Sequence, residues 1–240
     1  MHSGAIKGRS VLCSGVEKAV NEGLQRLRNH PFVVKASART LSKNELERWI
    51  KCAGRESQLF PNILENMAAL CVNERIKQVL ADNLDDERGN GDPERAHFKL
   101  YLQLLDELGI PREDFSNYEE RGGVRFACEL AQNISLQSSL AIAMGYMLIN
   151  EGIPKITFSA VQHALQGHYP KLRTRFFELH INTDEKHIED LYATVDELDP
   201  CQESEILFGI TLGERGTAVL LDEAFGLFDY SEIPAHVSSD

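Results

Sequence analysis

Apolar residues recur every three to four positions along nearly the whole chain, and strict alternation never persists beyond a few residues. That periodicity predicts an almost entirely helical protein, because one face of an α-helix repeats every 3.6 residues whereas a strand repeats every second one. The spacing places helices at about 13–29, 43–71, 74–88, 93–109, 122–150, 155–167, 170–197 and 203–229. Punctuation falls between them: His30-Pro31 closes the first, Asn73 caps the third, and Gly89-Asn90-Gly91-Asp92-Pro93 breaks and restarts the chain. Gly109-Ile110-Pro111 and Gly152-Ile153-Pro154 end the fourth and fifth, and Pro61 is expected to kink the second.

No repeat, low-complexity tract or Pro/Ser-rich linker divides the 240 residues, so residues 1–240 are expected to form a single helical domain, frayed at about 1–10 and 231–240. The apolar runs are too short for a membrane span and the start lacks a signal-peptide centre, which points to a soluble, cytoplasmic protein with no membrane partner. A net charge of −12 without a basic block argues against nucleic acid and leaves a small molecule as the expected partner. The five cysteines, Cys13, Cys52, Cys71, Cys128 and Cys201, are scattered and read as buried thiols rather than disulfides or a zinc cluster.

The chemistry lies where charged residues break the amphipathic rule. On helix 170–197 the buried stripe of Phe176, Phe177 and Leu191 also carries His180, Asp184 and His187, spaced so that all three share one face. An aspartate buried there without a partner costs several kcal/mol, about what a metal ion or protonated histidines would remove. The stripe Met144, Met147, Leu148 runs into Glu151, which opposes the helix dipole. The stripe Ile76, Leu80, Leu84 runs towards Glu87, and His97 shares a face with Tyr101, Leu104 and Leu108. Taken singly, Glu87 reads equally as a helix-end charge and His97 as a core histidine bonded to a neighbour such as Tyr101. On helix 43–71, Glu56 lies with Phe60, Ile63 and Met67, whereas Glu65 is turned about 100° from Leu64 towards water. An antiparallel hairpin turning near Val72 sets Glu56 level with Glu87. The candidate ligands are therefore Glu56, Glu87, His97, Glu151, His180, Asp184 and His187. Their mixed carboxylates and imidazoles balance two divalent ions and suit iron or manganese, with zinc still open.

The strings Asn83-Leu84-Asp85-Asp86-Glu87-Arg88-Gly89 followed by His97, then Glu151-Gly152-Ile153-Pro154, then Phe176-Phe177-Glu178-Leu179-His180 with Asp184 and His187, resemble the haem-oxygenase-like diiron oxidases, in their CADD-like, natural-product biosynthesis branch. The likeness extends over about 43–197. It implies an all-α haem-oxygenase-like helical bundle, two Fe(II) ions, O2 as co-substrate, and oxidation of an amino acid or related small carboxylic acid by N-oxygenation, desaturation, C–C cleavage or nitrile formation.

Two other readings compete. A ferritin-like diiron bundle uses E-x-x-H pairs, and Glu94-x-x-His97 supplies one, which makes Glu94 an alternative to Glu87. A metal-free helper resembling the thiamine-salvage or quinone-cofactor branches of the same fold would not need this ligand set. His163 and His168 read as helix-end hydrogen bonders and Trp49 as a packing residue. Arg173 or Arg175 is available to pair with a substrate carboxylate. The apolar face of 203–229 reads as core or as the contact of a homodimer.

Overall fold

The computed structural model describes residues 11–173 and 175–227, and within them every side chain except those of residues 182–185. The ends expected to fray, about 1–10 and 231–240, lie outside the described residues. The helices are α1 (Val11–Arg28), α2 (Pro31–Ser37), α3 (Lys43–Leu70), α4 (Glu74–Glu87), α5 (His97–Leu108), α6 (Arg112–Ser116), α7 (Gly122–Gln137), α8 (Leu140–Gly152), α9 (Pro154–His168), α10 (Arg175–Tyr192) and α11 (Glu203–Phe225). No strand occurs among the described residues, so the all-α expectation holds.

Local chemistry explains most boundaries. Ser42 and Glu45 form a reciprocal capping box at the start of α3, and the Asn73 side chain accepts from the backbone N–H groups of Arg75 and Ile76 at the start of α4. The N-cap of α7 is Arg121, whose side chain makes no cap hydrogen bond. Glu223 of α11 substitutes, accepting from the backbone N–H of Arg121 and Val124 and from the Tyr118 hydroxyl. Pro61 sits inside α3 without ending it.

Four boundaries differ from those expected. The segment 122–150 is two helices, parted at Ser138-Ser139, where the Ser139 hydroxyl accepts from the Ile142 N–H and restarts the chain as α8. A serine pair is a capping signal, and the periodicity carried past it because α8 is apolar nearly all round and shows no polar face whose phase could slip. The Pro93 restart is a short 3-10 turn, Pro93–Arg95, before α5. The segment 170–197 is helical from Arg175 to Tyr192, followed by a 3-10 turn at Val195–Glu197. Two short helices, α2 and α6, occupy stretches too brief to show a period.

The buried centre is α8, apolar all round and packed against α11, α10 and α1. Glycines set how close it comes to α11. A Cβ on Gly145 would lie 2.0 Å from the Ile206 carbonyl oxygen, and one on Gly209 would lie 2.0 Å from that of Ile142. Around this pair the core includes Trp49, Tyr101, Phe176 and Phe177, each side chain worth about 1.5–3 kcal/mol on burial. Trp49 packs edge-on to Phe158 and stacks with Phe177, and Phe158 and Phe176 carry this aromatic layer up to His180. Among the described residues no helix is long and apolar enough to cross a membrane.

Candidate metal centre

The apolar stripe of α4 delivers Glu87 to the interior at the helix's last residue, where its side chain is 6% exposed. The chain must then turn back at once. Gly89 permits this with φ +88°, and a Cβ there would meet the Asp92 carbonyl oxygen at 2.2 Å. The reversal sets His97 at the start of α5, with Nδ1 2.7 Å from Glu87 Oε1. From α10, His180 packs its ring edge-on to His97 with centroids 4.6 Å apart. Ligand atoms of Glu87, His97 and His180 all fall within 4.8 Å of one another, and all three residues are buried.

The donors fit a cation better than they fit each other. Although close to Glu87, His97 Nδ1 makes no hydrogen bond, so two electron-rich atoms converge without a proton aligned between them. Tyr101 does not serve His97 either, because its hydroxyl donates to the Ile50 carbonyl. His180 donates from Nδ1 to the Phe176 carbonyl at 2.8 Å, which leaves Nε2 with its lone pair free. Burial, reinforced by His97, pushes the His180 imidazole down to about 4, so it is neutral at pH 7 as a ligand must be.

A second group lies beside the first. Glu151, buried at the end of α8, accepts from Asn83 Nδ2 at 2.7 Å and lies 3.4 Å from His187 Nδ1. The other ring nitrogen, Nε2, lies 3.0 Å from Asp86 Oδ2. Burial would lower the His187 pKa, but the carboxylates of Glu151 and Asp86 outweigh it and raise it to about 9. Asp86 is depressed in turn: burial opposes its ionisation, and hydrogen bonds from His187 and Asn90 overcome that. Asn83 and Asp86 stand in the motif string Asn83-Leu84-Asp85-Asp86-Glu87, but the sequence assigned neither of them a role. Their signal is the spacing Asn83, Asp86, Glu87, which puts all three on one side of the last turn of α4.

Glu56 is not gathered into the trio of converging atoms. It is half-buried, and it lines with Glu87, Glu151 and His180 a cavity of about 100 Å³ whose remaining wall is mostly apolar. Burial raises its carboxyl to about 7. The side chain of Asp184 lies outside the described residues. Glu94, the alternative to Glu87, is exposed and paired with Lys99, outside the buried trio. Glu65 is exposed beside Arg88, as its rotation on α3 predicts. His168 bonds the Leu41 carbonyl and His163 meets Arg39, so both are hydrogen bonders. Not every cysteine is buried: Cys201 is exposed and Cys128 reaches the cavity.

Comparison with known proteins points to one family. A family model described as iron-containing redox enzyme matches residues 56–215. The chain is 24% identical over 168 residues to the 4-aminobenzoate synthase of Chlamydia pneumoniae, covering 69% of this chain and 74% of that protein. It is 26% identical over 137 residues to the 4-chloro-allylglycine synthase of Streptantibioticus cattleyicolor, covering 56% of this chain and 52% of that one. Among solved structures, a domain with a heme oxygenase-like fold from Shewanella denitrificans superposes with a TM-score of 0.76 at 16% identity, covering 93% of this chain and 96% of that one.

Proposed function

The chain belongs to the family of iron-containing redox enzymes, and on that premise we propose that it is a dioxygen-activating oxidase or oxygenase holding two Fe(II) ions and acting on an amino acid or related small carboxylic acid. The observation that carries the reading is the buried convergence of Glu87, His97 and His180 without a hydrogen bond between His97 and its carboxylate neighbour. Glu151 and His187 lie beside them, and Asp184, one helical turn before His187, completes the set by its position on α10. Bound iron(II) supplies the electrons and open coordination positions through which dioxygen is reduced.

The protein's own part is to shape the site. Phe176 keeps His180 in one tautomer, Asn83 orients Glu151 from behind, and Phe158 and Phe176 shield the cluster from bulk water. The two synthases to which the chain is similar make an aminobenzoate and an allylglycine, which favours a small amino-bearing acid as substrate. A metal-free helper on this fold is disfavoured, because Glu87 and His97 Nδ1 converge in the interior without a hydrogen bond between them, which a cation would relieve. The reading is tested by loading the protein anaerobically with iron(II), counting about two ions per chain, and screening free amino acids for oxygen consumption. Absence of bound iron after loading would overturn it.

A further inference from the structure

The cavity beside the ligand cluster carries charge of one sign. Glu56, Glu87 and Glu151 line it, with His180, and neither lysine nor arginine reaches it among the described residues. The arginines available in the sequence to a substrate carboxylate lie elsewhere. Arg175 lines a separate depression behind His97 with Asp86 and Arg95, and Arg173 lines surface depressions beside Glu107.

The three acids are not equivalent. Glu87 and Glu151 each face an imidazole, and Asn83 also donates to Glu151. Glu56 makes no hydrogen bond or ion pair among the described residues. Its ionisable neighbours Cys52, Cys128 and Tyr146 are neutral groups whose own ionisation it opposes. On α3 it is followed one and two turns later by Phe60 and Ile63, so the wall that carries this carboxylate is otherwise apolar. A carboxylate so placed either stays protonated or takes a cation. The ligand atoms of Glu87, His97 and His180 converge without Glu56, and no lysine or arginine lines the cavity, so apart from a metal the source of a cation for Glu56 is the ligand itself.

We propose that Glu56 is the recognition carboxylate for an ammonium group of the substrate, so that the cavity selects small, largely apolar molecules bearing a primary amine over those whose only charge is a carboxylate. This rests on Glu87, Glu151 and His180 being metal ligands, which leaves Glu56 as the cavity carboxylate with no hydrogen bond or ion pair among the described residues.

The test is calorimetric titration of the anaerobic, iron(II)-loaded protein with hexylamine, hexan-1-ol and hexanoate, which share one apolar body and differ in the head group. The wild type is expected to bind the amine at least about tenfold more tightly than the other two. Glu56→Gln keeps its iron content and helicity but loses that preference, and Glu56→Asp retains part of it. The proposal is overturned if hexanoate binds as tightly as hexylamine, if the amine shows no saturable binding at millimolar concentration, or if Glu56→Gln keeps the preference. It is overturned also if Glu56→Gln loses an iron ion that the wild type holds, since Glu56 is then a ligand. Iron content of the wild type is a separate readout: its absence refutes the oxidase reading, whereas the Glu56→Gln comparison refutes the assignment of the amine.

Discussion

Asp86 Oδ2 lies 3.0 Å from Nε2 of His187, so the outer nitrogen of this buried imidazole is fixed by a carboxylate while Nδ1 faces Glu151. That is the arrangement by which proteins orient a metal-binding histidine: one nitrogen donates to an acid and the other is presented to the ion. Asp86 itself is 22% exposed in its side chain, and on the proposed reading it positions His187 rather than holding the ion. Asp86→Asn should weaken iron(II) binding about tenfold to a hundredfold with little change in helicity, as read by anaerobic metal titration. Unchanged affinity would leave the Asp86–His187 pair a structural contact only.

The same pair gives the metal-free protein a defined pH dependence. With His187 raised to about 9 from an ordinary 6.5, the folded chain holds a proton that the unfolded chain releases between those values. This contribution is complete below pH 6.5 and fades as the pH rises through about 9. His180 acts in the opposite sense: lowered to about 4, it costs stability as the pH falls from 6.5 towards 4. Urea unfolding of metal-stripped wild type and His187→Gln between about pH 6 and pH 10 isolates the first effect. The gap between the two proteins should narrow as the pH rises, and a constant gap would contradict the assignment.

Periodicity showed which face of each helix turns inward, and so it found His180, His187, Glu151 and Glu87, whose charges sit on apolar stripes. It could not show what each face meets. Asp86 is rotated from the Ile76–Leu80–Leu84 stripe, and only the packing of α10 against α4 reveals its partner. Arg173 and Arg175 carry the right chemistry for a carboxylate, yet neither lines the cavity: Arg175 lines a depression with Asp86 and Arg95, and Arg173 lines ones beside Glu107. The Ser138-Ser139 break was hidden for a different reason: α8 is buried all round, so it has no polar face whose phase could be seen to slip.

The close approach of α8 and α11 predicts where small changes are intolerable. At Gly145 and Gly209 an added methyl would meet a backbone carbonyl of the facing helix, which cannot swing aside as a side-chain end can. Gly145→Ala and Gly209→Ala should each cost about 1–3 kcal/mol in urea unfolding, by forcing the helices apart. Gly216→Ala on the same helix is a control with a smaller expected loss, since its nearest contact is the flexible Leu130 side chain at 3.3 Å. Equal losses at all three positions would show that helix separation is not what these glycines set.

Iron content separates the two ways of assigning a glutamate to His97. Glu87 is buried within 2.7 Å of that imidazole, whereas Glu94, which shares the E-x-x-H spacing with it, is exposed and paired with Lys99. The helical reversal at Gly89 decides between them, because it folds the end of α4 against the start of α5 and leaves the 3-10 turn carrying Glu94 on the outside. Glu87→Gln and His180→Ala should each reduce iron binding by about tenfold or more, since each removes a ligand from a buried set, while Glu94→Gln should leave it unchanged. All three variants should keep the far-ultraviolet circular dichroism of the wild type. Loss of iron from Glu94→Gln with retention in Glu87→Gln would reverse the assignment and return the site to the ferritin-like pattern.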